Sequence, residues 1–294
     1  MEFLTALFNT VDKEEDIANC SELAKTLKIK VLPPRFRYSK SEYFMDKETN
    51  SIYKGLCSIK FMNSTIAEEL YMLKNNKYNT FFDLLYDIIS KTSLNTKQLD
   101  ILVKLDFFDE FGNSRKLLQY INIFTFFKNG NAKVIQKSKV QNDNILEGIV
   151  RRWSNSTDKQ YRDLRIDKIL EECYTYIESI NIKPFLVKEK IIWQKEFLGY
   201  IDFQTMRPED KNKLLITSIK QLNSRRTGKL WRYSFKTLAI CTGKVSEVLV
   251  DPRVYNKAPV GEYDVIFVDR EWLHRETRGD YKSWVVDKYN IVIL

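Results

Sequence analysis

Residues 58–70 read SIKFMNSTIAEEL, and the path of the chain through the middle of that stretch decides what the N-terminal half is. Ile59 lies before a break, and Ile66, Ala67 and Leu70 follow it at the spacing of one helix face. The break is Phe61-Met62-Asn63. A turn that folds two such segments together and aims its N–H groups at a phosphate calls for glycine on both flanks. Glycine reaches positive φ and has no side chain to hold the phosphate away. Here Phe61 and Asn63 stand at the flanks and Met62 keeps the apolar position between them. Asn63 tolerates the left-handed region at modest cost, whereas Phe61 puts a ring in the path of the phosphate. Two readings stay open: a hairpin that grips, with Lys54, Lys60 and Lys104 supplying charge, or a hairpin kept for packing.

Helical periodicity extends on both sides. Phe3, Leu4, Leu7 and Phe8, then Ile17, Leu23, Ala24 and Leu27, predict two short helices. KIKVLPPRF closes them, because Pro33 and Pro34 force extended backbone before them. YFMDKETNSIYKGL predicts a small hairpin about Asp46–Asn50. Helices follow over 66–73, over 81–89 with Thr80 as N-cap, and over 98–105 with Asn95 or Thr96 as cap. Gly112 interrupts before Leu117. The polar, basic stretch 128–144 has a linker's composition and 154–159 is a second break. Residues 161–180 and 187–200 return to helical spacing.

From Leu214 the period becomes two. LLITSIKQL, LWRYSFKTL, KVSEVLV, YDVIFVDREWL and KSWVVDKYNIVIL are five strand-like runs separated by Gly228, Gly243, Pro252, Gly261 and Gly279. Five short strands in about 80 residues predict an OB-type barrel; periodicity alone also admits an SH3-like or other small barrel. Arg225, Arg226 and Lys229 fall between the first two runs, where such folds contact a nucleic-acid backbone, and guanidinium forks suit phosphate. On the next run Trp231, Tyr233 and Phe235 alternate with Arg232, Ser234 and Lys236. Trp231 and Tyr233 are candidates for stacking on bases, with core packing as the alternative, and Phe235 is assigned to the core.

The 294 residues carry a formal net charge of +9. From Lys213 onward there are 15 Lys and Arg against 9 Asp and Glu, so the excess is concentrated in the last quarter and points to an anionic partner such as nucleic acid. Surface lysines serving solubility are the bland alternative. Cys20, Cys57, Cys173 and Cys241 are far apart and His274 is the single histidine, which argues against zinc sites and histidine catalysis and predicts reduced thiols. Neither a spanning apolar stretch nor a basic leader at Met1-Glu2-Phe3 is seen, so a cytoplasmic protein without membrane contact is expected.

The order of landmarks resembles the C-terminal half of the alpha subunit of bacterial DNA polymerase III, a C-family replicative polymerase. EFLTALF with KIKVLPPRF is similar to the passage out of the fingers. YKGLCSIKFMNSTIAEEL is similar to a helix-hairpin-helix segment, and LNTKQLDILVKLDFFDEFGNSRKLL to the helix pair after it, with Asp106 where the family often has glycine. EKIIWQKEFLGYI resembles the segment before the OB domain, and SRRTGKLWRYSFKTLAICTGKVSEVLVDPRVY that domain's first three strands. The resemblance covers about 2–120 and 187–294. It implies a non-catalytic, DNA-holding portion of a DNA-directed DNA polymerase in a bacterial or phage-infected cell. The family's palm aspartates and histidine-rich cluster lie upstream of the matched region. The chain has no Asp-x-Asp pair and too few histidines for such a centre, so no metal or other cofactor is expected and the chain should not polymerise alone.

The expected fold class is α+β: an all-α helix-hairpin-helix module over 1–127, a helical linker region over 128–212 and a five-stranded OB-type barrel over 213–294. The expected partners are single-stranded or primer–template DNA and a core chain carrying the palm. A sliding clamp is a further candidate, because the family binds its clamp through a Gln-plus-apolar peptide and QYINIF, with Gln119, Ile123 and Phe124, has that composition. The other reading of QYINIF is helix core. Arg151-Arg152-Trp153 reads as a solvated helix face with one anchor. The rival function is a protein-interaction module that binds clamp or polymerase and regulates it.

Overall fold

The computed structural model describes residues 1–11, 14–201, 210–224, 226–278 and 281–293. The chain forms two compact units, Met1–Phe185 with Phe197–Gly199, and Leu186–Glu196 with Tyr200–Leu294.

The first unit begins with α1 (Glu2–Phe8) and α2 (Glu14–Thr26). Their apolar faces supply Leu4, Phe8, Cys20 and Ala24 to one cluster with Ile29, Tyr43 and Ile52. Lys28 ends α2 at φ 57°, and the Ile29 N–H donates back to the Ala24 carbonyl at 2.9 Å, a left-handed C-terminal cap. Next come β1 (Lys30–Leu32), β2 (Phe44–Asp46) and β3 (Ser51–Tyr53) in the order β1-β3-β2. The expected hairpin is thus β2–β3, and β1 joins it in parallel.

Four helices then carry the module's core: α3 (Ser64–Met72), α4 (Phe81–Lys91), α5 (Thr96–Lys104) and α6 (Ser114–Phe126). Each opens on a short polar cap. The side chains of Asn63, Thr80, Asn95 and Asn113 accept from the N–H groups of Ile66, Asp83, Gln98 and Lys116. Asp83 and Gln98 complete reciprocal boxes on α4 and α5. The amphipathic faces meet in a phenylalanine-rich interior that includes Phe36, Phe81, Phe107, Phe108, Tyr120 and Phe124.

The module over 1–127 is not all-α, since it includes β1, β2 and β3, and the expected linker region after it is more structured than its polarity suggests. Residues 128–144 contain β4 (Val134–Gln136) and enter α7 (Asn144–Arg152), with Ile135 and Val140 buried. β5 (Asn155–Ser156) and β6 (Gln160–Arg162) complete a second three-stranded sheet in the order β4-β6-β5. The spacing predicts a helix from Tyr161. The helix α8 instead starts at Ile166 (Ile166–Ser179), because Tyr161 pairs into the sheet and Asp163 turns the chain at φ 52°.

The second unit holds most of α9 (Val187–Phe197) and a curled seven-stranded sheet: β7 (Lys213–Asn223), β8 (Leu230–Ala239), β9 (Val245–Val250), β10 (Val265–Phe267), β11 (Leu273–Arg278), β12 (Tyr281–Val286) and β13 (Asn290–Val292). Their order is β11-β12-β9-β8-β7-β10-β13. The short α10 (Pro252–Lys257), capped by Asp251, links β9 to the rest. Five runs become seven strands because the last two each break. Asp269 accepts from the Glu271 N–H at 3.1 Å and closes a 3-10 turn at Arg270–Trp272. The two halves of this long hairpin then pair at opposite ends of the sheet, β11 with β12 and β10 with β13. One face of the sheet buries Ile216, Tyr233, Phe235, Val248 and Val250. The other packs Leu215, Leu238, Ile240 and Val265 against Ile191 of α9.

Candidate nucleic-acid interface

In the N-terminal hairpin the upstream arm is only a 3-10 turn at Leu56–Ser58. A full helix is blocked there because Gly55 lies against the backbone of Ser41 and Glu42. The N–H groups of Leu56 and Cys57 donate to the carbonyls of Lys40 and Ser41, each at 2.9 Å. Phe61, not Asn63, takes the left-handed conformation, at φ 69°. Asn63 is extended and spends its side chain as the α3 cap. The Met62 N–H donates to the Ile59 carbonyl at 3.1 Å and the Lys60 N–H to the Phe197 carbonyl at 2.8 Å, so two backbone donors near the turn are already used.

The turn is held from α5. Gln98 Nε2 donates to the Phe61 carbonyl at 2.7 Å, and the Lys97 ammonium sits 4.7 Å from the Phe61 ring centroid. That ring is 59% exposed. Lys60 and Asn63 are exposed and Met62 is half-buried. Lys104 pairs with Asp100 at 2.7 Å along α5, and Lys54 is buried, so neither presents an open charge here. The arrangement keeps the hairpin's geometry while covering it with an aromatic ring.

Asp106 solves the same backbone problem differently. It is left-handed at φ 60° and ends α5 as a Schellman cap, with Asp106 N–H to Val103 and Phe107 N–H to Leu102. Its carbonyl accepts from Arg35 Nη1 at 2.7 Å and its carboxylate accepts the Ser114 hydroxyl. Its charge is therefore turned into the protein. A polar cleft beside it is lined by Arg37, Tyr78, Gly112, Lys116 and Glu178. Arg37 is paired with Glu110 and Lys116 with Glu178, so the cleft neutralises itself. Glu178 is held below the ordinary carboxylate range by Lys116 and then by the Tyr120 hydroxyl, while burial pushes the Tyr120 phenol up.

QYINIF lies inside α6. Phe124 is buried against Phe82 and Tyr86, and Gln119 and Ile123 are half-buried. A peptide in this state is part of the helical core and is not presented as an extended ligand.

On the curled sheet, Arg226 and Lys229 are exposed in the β7–β8 turn; Arg225 lies outside the described residues. Trp231 is half-buried with the Arg232 guanidinium 5.7 Å from its ring, and Arg232 reaches Glu276 at 3.5 Å. Tyr233 is not a stacking platform: it is buried and stacked on Tyr255 at 4.0 Å. Phe235 is core, as expected. The aromatic that sequence reasoning missed is Trp284, 45% exposed on β12 with Arg275 of β11 5.8 Å from its ring. Alternation within KSWVV is a weak signal for it. Its neighbours are supplied by pairing with Val248 and Arg275, which no local pattern reveals.

These features describe one class of architecture, a capped helical module with a hairpin followed by a basic curled sheet. Residues 28–118 match the family model for the helix-hairpin-helix motif. The chain is also similar to DNA polymerase III subunit alpha of Treponema pallidum (strain Nichols), with 24% identity over 202 residues, 68% of this chain and 15% of that protein. The same subunit of Bacillus subtilis (strain 168) is 29% identical over 113 residues, 38% of this chain and 10% of that one. The chain thus carries a helix-hairpin-helix motif like that of the polymerase III alpha C-terminal region and is a distant relative of that subunit over part of its length. It spans at most 15% of the length of these two relatives.

Proposed function

We propose that this polypeptide holds template or primer DNA for a replicative polymerase of this kind and leaves phosphoryl transfer to a chain that carries the palm carboxylates. The single observation that carries the reading is the helix-hairpin-helix match over residues 28–118 of this chain, beside its partial similarity to two proteins named as DNA polymerase III subunit alpha. The curled sheet supports it. Parallel pairing of β12 with β9, antiparallel pairing of β10 with β7, and a hairpin whose halves lie at both ends of the strand order support reading the sheet as a five-stranded OB-type barrel with two broken strands. In that reading the β7–β8 turn presents Arg226 and Lys229 to phosphates, and Trp284 with Arg275 offers a platform for a base.

The division of labour is physical. A two-metal transfer needs carboxylates bridging the ions; the sequence has no Asp-x-Asp pair, and among the described residues no group of three or more His, Cys, Asp and Glu is placed to hold a metal ion. The hairpin positions DNA weakly, because Phe61 covers the turn, and the curled sheet supplies most of the grip.

The test is anisotropy titration of a labelled single-stranded oligonucleotide at several salt concentrations. Replacing Arg226 and Lys229 with alanine flattens the log–log salt slope by about 0.7 for every phosphate that is no longer neutralised. Trp284→Ala weakens binding by ~1–3 kcal/mol with the slope unchanged. Unaltered affinity and slope in both variants remove the curled sheet from the mechanism.

A further inference from the structure

The sheet β4-β6-β5 lies outside the hairpin match and outside the curled sheet, and neither activity accounts for its surface. Residues 133–165 hold eight Lys and Arg against four Asp and Glu. The sheet buries Ile135 and Tyr161 on one side. The opposite side presents Val134, Gln136, Asn155, Gln160 and Arg162, with Val134 and Asn155 both in register with Arg162 and Gln136 with Gln160. Cations flank the sheet at its strand ends. Lys133 precedes β4, and Lys159 precedes β6 with its carbonyl accepting the Lys137 N–H at 3.0 Å. Lys139 follows in a 3-10 turn. Among the described residues, Lys133, Lys139 and Lys159 are exposed with no carboxylate at ion-pair distance.

We propose that this small sheet is a second DNA-binding surface that lies along the phosphate backbone of a duplex. Two observations select a duplex over a single strand. The outward side chains include no aromatic, so the face lacks the stacking surface on which single strands are held. The nearest tryptophan, Trp153, is half-buried and donates its indole N–H to Glu172 at 2.6 Å. The cations are also distributed: Lys133 lies at the end of the sheet where Val134 pairs with Arg162, Lys159 lies at the opposite end, where Gln136 pairs with Gln160, and the Lys137 ammonium is instead taken up 5.3 Å from the Tyr161 ring. Spread charge of this kind meets several phosphates of a regular helix without reading bases.

The inference rests on the DNA-holding reading above, and the experiment separates the two. The triple variant Lys133→Ala/Lys159→Ala/Arg162→Ala in the full chain is compared with Lys30→Ala/Lys47→Ala/Lys77→Ala, which removes the same charge from elsewhere on the first unit. Duplex and single-stranded oligonucleotides are titrated between about 50 and 200 mM salt, where each neutralised phosphate contributes roughly a 3.5-fold change in affinity. The sheet variant is expected to neutralise two or three fewer phosphates on duplex, with the salt-induced fall shrinking roughly ten- to fortyfold. Its single-strand binding and that of the control stay as in the parent. A chain that binds duplex equally well with and without the three cations overturns the inference and leaves the DNA-holding reading standing. Equal weakening in the control, or on single strands, overturns it as well, since total charge would then be the cause. A parent that binds neither oligonucleotide at low salt removes both. Thermal melts of each variant verify folding.

Discussion

Phe61→Gly tests whether the first hairpin kept its shape and surrendered its grip. Phe61 stands at φ 69°, a conformation that costs a side-chain-bearing residue about 1–2 kcal/mol. Glycine relieves that cost but adds about 0.5–1 kcal/mol of backbone entropy in the unfolded chain. The ring is largely exposed, and its interaction with the Lys97 ammonium is worth about 0.5–1 kcal/mol at such a site. These terms cancel to within about 1 kcal/mol, so a urea melt should move little. The Phe61 carbonyl continues to accept from Gln98, which preserves the turn. With the ring gone the turn opens to one phosphate. Duplex affinity measured by anisotropy should then report one more neutralised phosphate, a log–log salt slope steeper by about 0.9. A folded variant with an unchanged slope would refute the idea that the ring is the obstruction. A destabilisation of more than about 2 kcal/mol would refute the stability reasoning.

Gly55→Ala should cost more than about 2 kcal/mol, because a Cβ there overlaps the Glu42 carbonyl carbon and meets backbone that cannot yield; a chemical melt with near-parental stability would contradict the packing described at that turn. Asn63→Ala removes the α3 cap and should cost about 1 kcal/mol, read by the same melt. The pH dependence has a definite sign at Glu178. Its folded-state carboxyl is held low by Lys116 and Tyr120. Its contribution is thus complete above the ordinary glutamate range and disappears as pH falls through the lowered value. Glu178→Gln should lower stability at neutral pH and narrow its difference from the parent in acid; a constant difference between pH 7 and 3 would contradict this.

Much of the helical module was legible because its signals are local. Thr80 with Asp83 and Asn95 with Gln98 are reciprocal caps that can be read off four consecutive residues. The alternating runs from Leu214 likewise marked the strands of the curled sheet. What was illegible depended on distant partners. Phe61 and Asp106 take left-handed backbone without glycine because Gln98 fixes one carbonyl and Arg35 the other. The β4-β6-β5 sheet has strands of two or three residues, too short to display a period, so its polarity read as linker. The burial of Tyr233 and the exposure of Trp284 were illegible for a similar reason. Tyr233 is covered by Tyr255 of α10, while Trp284 is placed by a parallel pairing with β9. QYINIF had the composition of a docking peptide, but the packing of Phe124 on Phe82 and Tyr86 makes it core.

The most direct measurement is the affinity of the unmodified polypeptide for a primer–template oligonucleotide as salt is raised, run beside a primer-extension assay on the same preparation. The account predicts a straight log–log decline spanning several neutralised phosphates and a primer that stays at its original length. Binding indifferent to salt, or nucleotide addition by the polypeptide alone, would contradict it.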